Sequence, residues 1–97
     1  MNSETSGPLP TIAGEVIWRQ LDDNAVIVSP QSGEVRVLNG IGTVIWHMLS
    51  RQHSVADIVT HLSTQYQVTK TQAEQDVYLF LEELQNRNLI EWQEHNV

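Results

Sequence analysis

The stretch Ser32–Ser50, SGEVRVLNGIGTVIWHMLS, changes its period in the middle. Before Asn39-Gly40, the segment Glu34–Leu38 alternates charged and apolar residues, with Val at every second position, as a pleated strand does. After it, Ile41, Val44, Ile45, Met48 and Leu49 recur at the spacing of one helical face. Asn39 has the short side-chain acceptor expected of an N-cap between the two. A strand that runs straight into a helix is therefore the pivot of the fold, and the rest of the chain is read outward from it.

Upstream, Val16, Trp18 and Gln20 alternate with Ile17, Arg19 and Leu21, which predicts a strand. Asp22-Asp23-Asn24 is a turn, and Ala25–Ser29 is an apolar run of strand length. Ser29-Pro30-Gln31-Ser32-Gly33 turns the chain again, Pro presetting φ and Gly supplying a positive φ. Three short strands joined by tight turns make an antiparallel meander.

Downstream, Gln52-His53 breaks the first helix. Ser54-Val55-Ala56-Asp57 has the form of a capping box, with Asp in the Glu/Gln position, followed by the stripe Val55, Ile58, Val59 and Leu62. A third helix, the longest, starts at Thr69 or Thr71. Each has a polar partner three residues on, Gln72 or Glu74, so both registers stand. Its stripe is Ala73, Val77, Phe80, Leu81 and Leu84, and Asn86 or Asn88 ends it in a left-handed conformation. Leu89–Trp92 is a closing strand or an extended cap over the core.

The expected architecture is α+β: a three-stranded antiparallel sheet followed by three helices, winged helix-turn-helix-like, with the hairpins placed before the helices. Residues 15–92 form the domain. Residues 1–14, with Ser3, Thr5, Ser6, Gly7, Pro8 and Pro10, are expected to be a flexible N-terminal tail that packs late, if at all, through Leu9 and Ile12, and residues 93–97 a polar C-terminal one.

Composition narrows the function. The 97 residues carry 12 acidic and 5 basic side chains, a net charge of −7, which opposes binding to nucleic acid or anionic lipid. There is no Cys, so disulfides, thiolate metal sites and Cys nucleophiles are excluded, and a cytoplasmic setting is expected. The N-terminus lacks the basic and apolar regions of a secretory signal. His47, His53, His61 and His95 have no spacing that converges on a metal, and Glu82-Glu83 are adjacent and point to different helix faces. No nucleotide-binding, nucleophile-elbow or zinc-protease motif occurs. We expect no enzyme, no metal and no cofactor.

The sheet offers something else. The strand Gly33–Leu38 is an edge with no Pro and only Glu34 and Arg36 as charged guards, and such an edge accepts an added strand. The third helix can form the other wall of a groove, presenting Gln72, Asp76, Leu79, Phe80, Glu83 and Arg87 along one strip. The candidate peptide-binding residues are therefore Val35, Arg36, Val37, Leu38, Gln72, Asp76, Leu79, Phe80 and Glu83. In the plainer reading, Val35, Val37, Phe80 and Leu84 face the core.

SGEVRVLNGIGTVIWHMLSRQHSVADIVTHLSTQY followed by AEQDVYLFLEELQNRNLI resembles the PqqD-like family, the small domains that recognise leader segments of ribosomally made, post-translationally modified peptides (RiPPs). The likeness rests on Leu38-Asn39, Gly42, Ile45-Trp46, Ser54–Ile58, Asp76-Val77, Phe80-Leu81, Leu84 and the exit Asn88-Leu89-Ile90. It departs at Arg51-Gln52-His53, where an acidic residue and Gly are common, and at Asn88, where Gly is common. The resemblance implies a non-catalytic protein that binds the leader of a precursor peptide as a strand added to the third strand. It then presents the precursor to a partner, a radical SAM enzyme or, in lasso-peptide systems, a leader peptidase. The other expectations are a homodimeric adaptor joined through the same sheet edge and an acidic winged-helix DNA-binding regulator.

Overall fold

The computed structural model describes residues 9–38 and 40–93. The element order is β1 (Leu9–Ile12), β2 (Ile17–Leu21), β3 (Asn24–Ser29), β4 (Glu34–Leu38), α1 (Ile41–Ser50), α2 (Val55–Gln65), α3 (Lys70–Asn86) and β5 (Ile90–Gln93). β2, β3 and β4 form the expected antiparallel meander in that spatial order, with Ile17 opposite Val28 and Val28 opposite Val35. The three helices follow, α2 and α3 making the helix-turn-helix pair.

Residues 9–14 depart from the expected tail. Leu9–Ile12 pairs antiparallel with β5, Leu9 opposite Gln93 and Ile12 opposite Ile90, and the Ala13 N–H donates to the Leu89 carbonyl at 3.0 Å. Composition misled here because it counts only the segment's own small polar residues and prolines, whereas the partner that orders it, β5, lies at the other end of the domain. A two-stranded ribbon is all edge, and proline is tolerated on an edge; Pro10 is in fact almost completely buried. Gln93 likewise belongs to β5, while residues 1–8 and 94–97 lie outside the described residues.

The core lies between the meander and the helices. Ala25, Ile27 and Leu38 from the inner sheet face meet Ile45, Trp46 and Leu49 of α1, Val55, Ile58, Val59 and Leu62 of α2, and Ala73, Val77, Leu81 and Leu84 of α3. The stripes of α2 and α3 are buried as their spacing predicts, except that Phe80 is only half-buried. In α1 the buried face is turned toward Thr43 and Trp46. Ile41 is exposed, and Val44 and Met48 are half-buried. Trp46 decides that rotation, because its indole is the largest group to bury; Trp18 from β2 stacks edge-on against it with ring centroids 6.2 Å apart. Thr43 is buried because its hydroxyl accepts from the Ala25 N–H at 3.2 Å.

The helix ends follow local chemistry. Gly40, with φ of 52°, occupies the N-cap of α1 without a side-chain bond; Asn39, the expected cap, lies outside the described residues. Ser54 and Asp57 form the reciprocal capping box. The Thr69 hydroxyl accepts from the Gln72 N–H at 3.0 Å, which selects Thr69 over Thr71 as the start of α3. Asn88 adopts φ of 61°; its N–H donates to the Gln85 carbonyl and that of Leu89 to the Leu84 carbonyl, the Schellman pattern. Gln52 ends α1 the same way at φ of 64°, its N–H donating to Leu49 and that of His53 to Met48.

Candidate peptide-binding site

β4 pairs with β3 on one side, and on its other side no strand lies beside it among the described residues. The Ser29–Gly33 turn leads into it and α1 follows it, so its position is set at both ends. Alternation divides its side chains. Val35 and Val37 project to the outer sheet face at 60% and 59% exposure. Arg36 and Glu34 project to the other face, toward α3, and Leu38 is buried in the core. The plainer reading, in which the two valines fill the core, is therefore overturned; the inner face had no room left once Ala25, Ile27 and Leu38 were packed.

The facing wall is α3. An Arg36 Nη2–Glu83 Oε2 ion pair joins strand to helix. Arg87 Nη1 reaches Glu34 Oε2 at 2.6 Å, and Arg87 Nε lies 3.7 Å from Glu83 Oε2. Two acids and two bases thus alternate across the gap between β4 and the C-terminal half of α3. The Arg36 Nε is buried without an acceptor. One turn toward the N-terminus of α3, Phe80 is half-buried, and its ring edge lies at Gly42 of α1 beside Leu38. A Cβ at position 42 would meet the Phe80 Cε1 and Cζ atoms at 3.5 Å, ordinary contact distance, so only a side chain larger than Ala would displace the ring. One turn further, Asp76 is exposed and accepts from Gln72 Nε2 at 2.9 Å.

The structure therefore pairs Arg36 with Glu83 and sets Phe80 near Leu38 on the side of β4 that faces α3, with Gln72 and Asp76 continuing the same helix stripe. Leu79 faces solvent instead. It is 65% exposed and lines, with Glu74, Gln75, Tyr78 and Glu82, a depression of about 480 Å³ on the solvent side of α3. Sequence reasoning missed the Glu34–Arg87 pair and the role of Gly42. Opposite charges at 34 and 36 on one strand face, and at 83 and 87 one helical turn apart, were the available signal for the ion-pair ladder.

This arrangement can accept an extended chain. It combines backbone groups of an unpaired edge, a half-buried aromatic floor and a charged end. Among the described residues no group of three His, Cys, Asp or Glu side chains converges on a metal position, and no helix is long and apolar enough to cross a membrane. The exposed face of α3 carries Glu74, Asp76 and Glu82, the wrong sign for a helix entering a DNA groove.

The family described as coenzyme PQQ synthesis protein D (PqqD) matches residues 24–90. Among solved structures, TbiB1 in complex with the TbiA(beta) leader peptide is 30% identical, with a TM-score of 0.81 over 84% of this chain and 94% of that one. A lasso peptide synthetase B1 complexed with the leader peptide is 28% identical, with a TM-score of 0.79 over 84% and 96% of the respective chains. No curated protein matches the chain.

Proposed function

The chain belongs to the PqqD family, and from that premise we propose that it captures the leader segment of a ribosomally made precursor peptide and presents the precursor to a processing enzyme. The leader adds to β4 as a fourth strand, and α3 forms the opposite wall. The observation that carries this reading is the free edge of β4 lying beside a helix whose inward stripe contains Phe80. Main-chain hydrogen bonds to the edge align the guest, and the side chains around Phe80 select it.

The role is non-catalytic and cytoplasmic. Holding the leader while the core of the precursor stays tethered makes the encounter with an enzyme close to intramolecular, at an effective concentration of roughly millimolar for a short tether. The enzyme is a leader peptidase in a lasso-type system or a radical SAM enzyme in a PqqD-type one. The likeness to two proteins solved with leader peptides, one of them a lasso peptide synthetase component, supports the former.

The test is titration calorimetry with a synthetic peptide spanning the leader of the precursor encoded beside this chain, followed by hydrogen exchange of the complex. One-to-one binding with new protection at Val35–Leu38 is the expected result. Absence of binding, or protection confined to other elements, overturns the reading.

A further inference from the structure

The outer face of the meander is the part of the molecule that leader capture leaves unexplained. Register places Ile17, Val28 and Val35 in one cross-strand row, and Arg19, Val26 and Val37 in the next. Leu21 ends β2 on the same face. Ile17, Leu21, Val35 and Val37 are all more than half exposed, and Val26 and Val28 are half-buried. Half of the exposed large hydrophobic residues of the described structure thus share one face of one sheet. None of the helices covers it, because the helices pack on the opposite face, against Ala25, Ile27 and Leu38. A contiguous apolar face of this kind marks an interaction surface.

We infer that this outer face is the docking surface for the processing enzyme, and that the enzyme meets it with an apolar patch bordered by basic residues. The inference rests on the proposed leader capture. Two observations choose the occupant. The first is charge. Acidic groups stand at both ends of β2, Glu15 before it and Asp22 after it, both exposed, while Arg19 is the one cation within the face; Asp23 lines a depression with Thr43, Val44 and His47 of α1 instead. An apolar centre with a charged border has the anatomy of a protein interface. A second copy of this chain would bring the same acids, on a body of net charge −7, whereas a basic border complements them.

The second observation is continuity. β4 belongs both to the outer face, through Val35 and Val37, and to the strand-addition edge. A leader added to that edge extends the same face by one strand and lays every second side chain beside the two valines. A protein seated on the face therefore touches the captured peptide as well, and it binds the loaded complex better than the empty chain. Delivery is then coupled to capture without movement of the domain.

The test uses variants on β2, the strand farthest from the leader edge. Ile17→Glu and Leu21→Glu are made singly, with circular dichroism to establish the fold. Each is titrated with the synthetic leader and with the purified processing enzyme encoded beside the chain, in the presence and absence of leader. The expected result is a loss of enzyme affinity of about tenfold or more, with leader affinity within about twofold of the parent. Glu15→Gln with Asp22→Asn is the second variant set; it is expected to slow enzyme association and flatten its salt dependence. Enzyme binding that is absent in the parent, unchanged in the Glu variants, or indifferent to leader overturns the inference, as does light scattering that shows a homodimer broken by Leu21→Glu. Retained leader binding in those cases leaves leader capture standing, whereas failure of the parent to bind leader removes both.

Discussion

Arg36 on β4 donates from Nη2 to Glu83 Oε2 on α3, so an ion pair ties the free strand to the helix that faces it. Arg87 extends that pair to Glu34, and the four groups close one end of the cleft. Both partners of the central pair are partly solvated, and exposed pairs of this kind couple by only ~0.2–1 kcal/mol. A double-mutant cycle of Arg36→Ala and Glu83→Ala, read by urea unfolding, is expected to give a coupling in that range that shrinks as salt is raised. The pair's effect on leader binding is expected to exceed its effect on stability, because it joins the strand to the helix. Leader affinity should fall in both single variants.

Phe80 is the aromatic floor of the cleft, and Gly42 is what it rests against. Truncation of a fully buried Phe costs about 3–5 kcal/mol, and a half-buried ring about half of that. Phe80→Ala should therefore remain folded in circular dichroism while leader affinity drops by about tenfold, near 1.4 kcal/mol. Gly42→Ala is expected to be tolerated, since its Cβ would meet the ring at ordinary contact distance. Gly42→Ile would displace the ring from Leu38 and should reproduce the binding defect of Phe80→Ala. Leader titrations of the three variants check this ordering.

Two non-glycine residues hold left-handed conformations at helix ends, Gln52 after α1 and Asn88 after α3. A left-handed residue costs roughly 1–2 kcal/mol when it carries a Cβ, with Asn the most tolerant. Gln52→Gly is therefore expected to raise stability by about 0.5–1 kcal/mol, and Asn88→Gly by less. Asn88→Val should lower it by more than Asn88→Gly raises it. Urea midpoints at constant slope decide the order.

The sequence carried the fold wherever one period ran without interruption. Glu34–Leu38, the α2 stripe behind Ser54 and the α3 stripe each read correctly because local propensity and burial agree in them. What was illegible depended on partners distant in the chain. Trp46 turned α1 because Trp18 waits 28 positions earlier in the sequence. Leu9–Ile12 became a strand only because Ile90–Gln93, at the other end of the domain, pairs with it. On α3, spacing put Phe80 in the apolar stripe and Leu79 off it, and the structure agrees; what spacing did not give is how far the docked sheet covers Phe80, which stays half-buried. Two neighbours on a helix differ by about 100° in direction, so spacing separates them, whereas the depth of cover depends on the docked sheet.

Strand β1 supplies the last expectation, since it stabilises the domain without touching the cleft. It pairs with β5, and Ile12 and Pro10 cover that side of the core. Deleting residues 1–13 exposes Leu89, Ile90 and Trp92 and removes the bond from the Ala13 N–H to the Leu89 carbonyl. Removing that burial and the β1–β5 ladder is expected to lower stability modestly, since the entropy lost in ordering the four-residue strand is recovered. The truncated chain should unfold at lower urea in a two-state transition. Its affinity for leader should be unchanged below that midpoint, because β1 and β5 form a sheet separate from β2–β4. Loss of leader binding by a truncated chain that is still folded would show that the N-terminal strand belongs to the binding site.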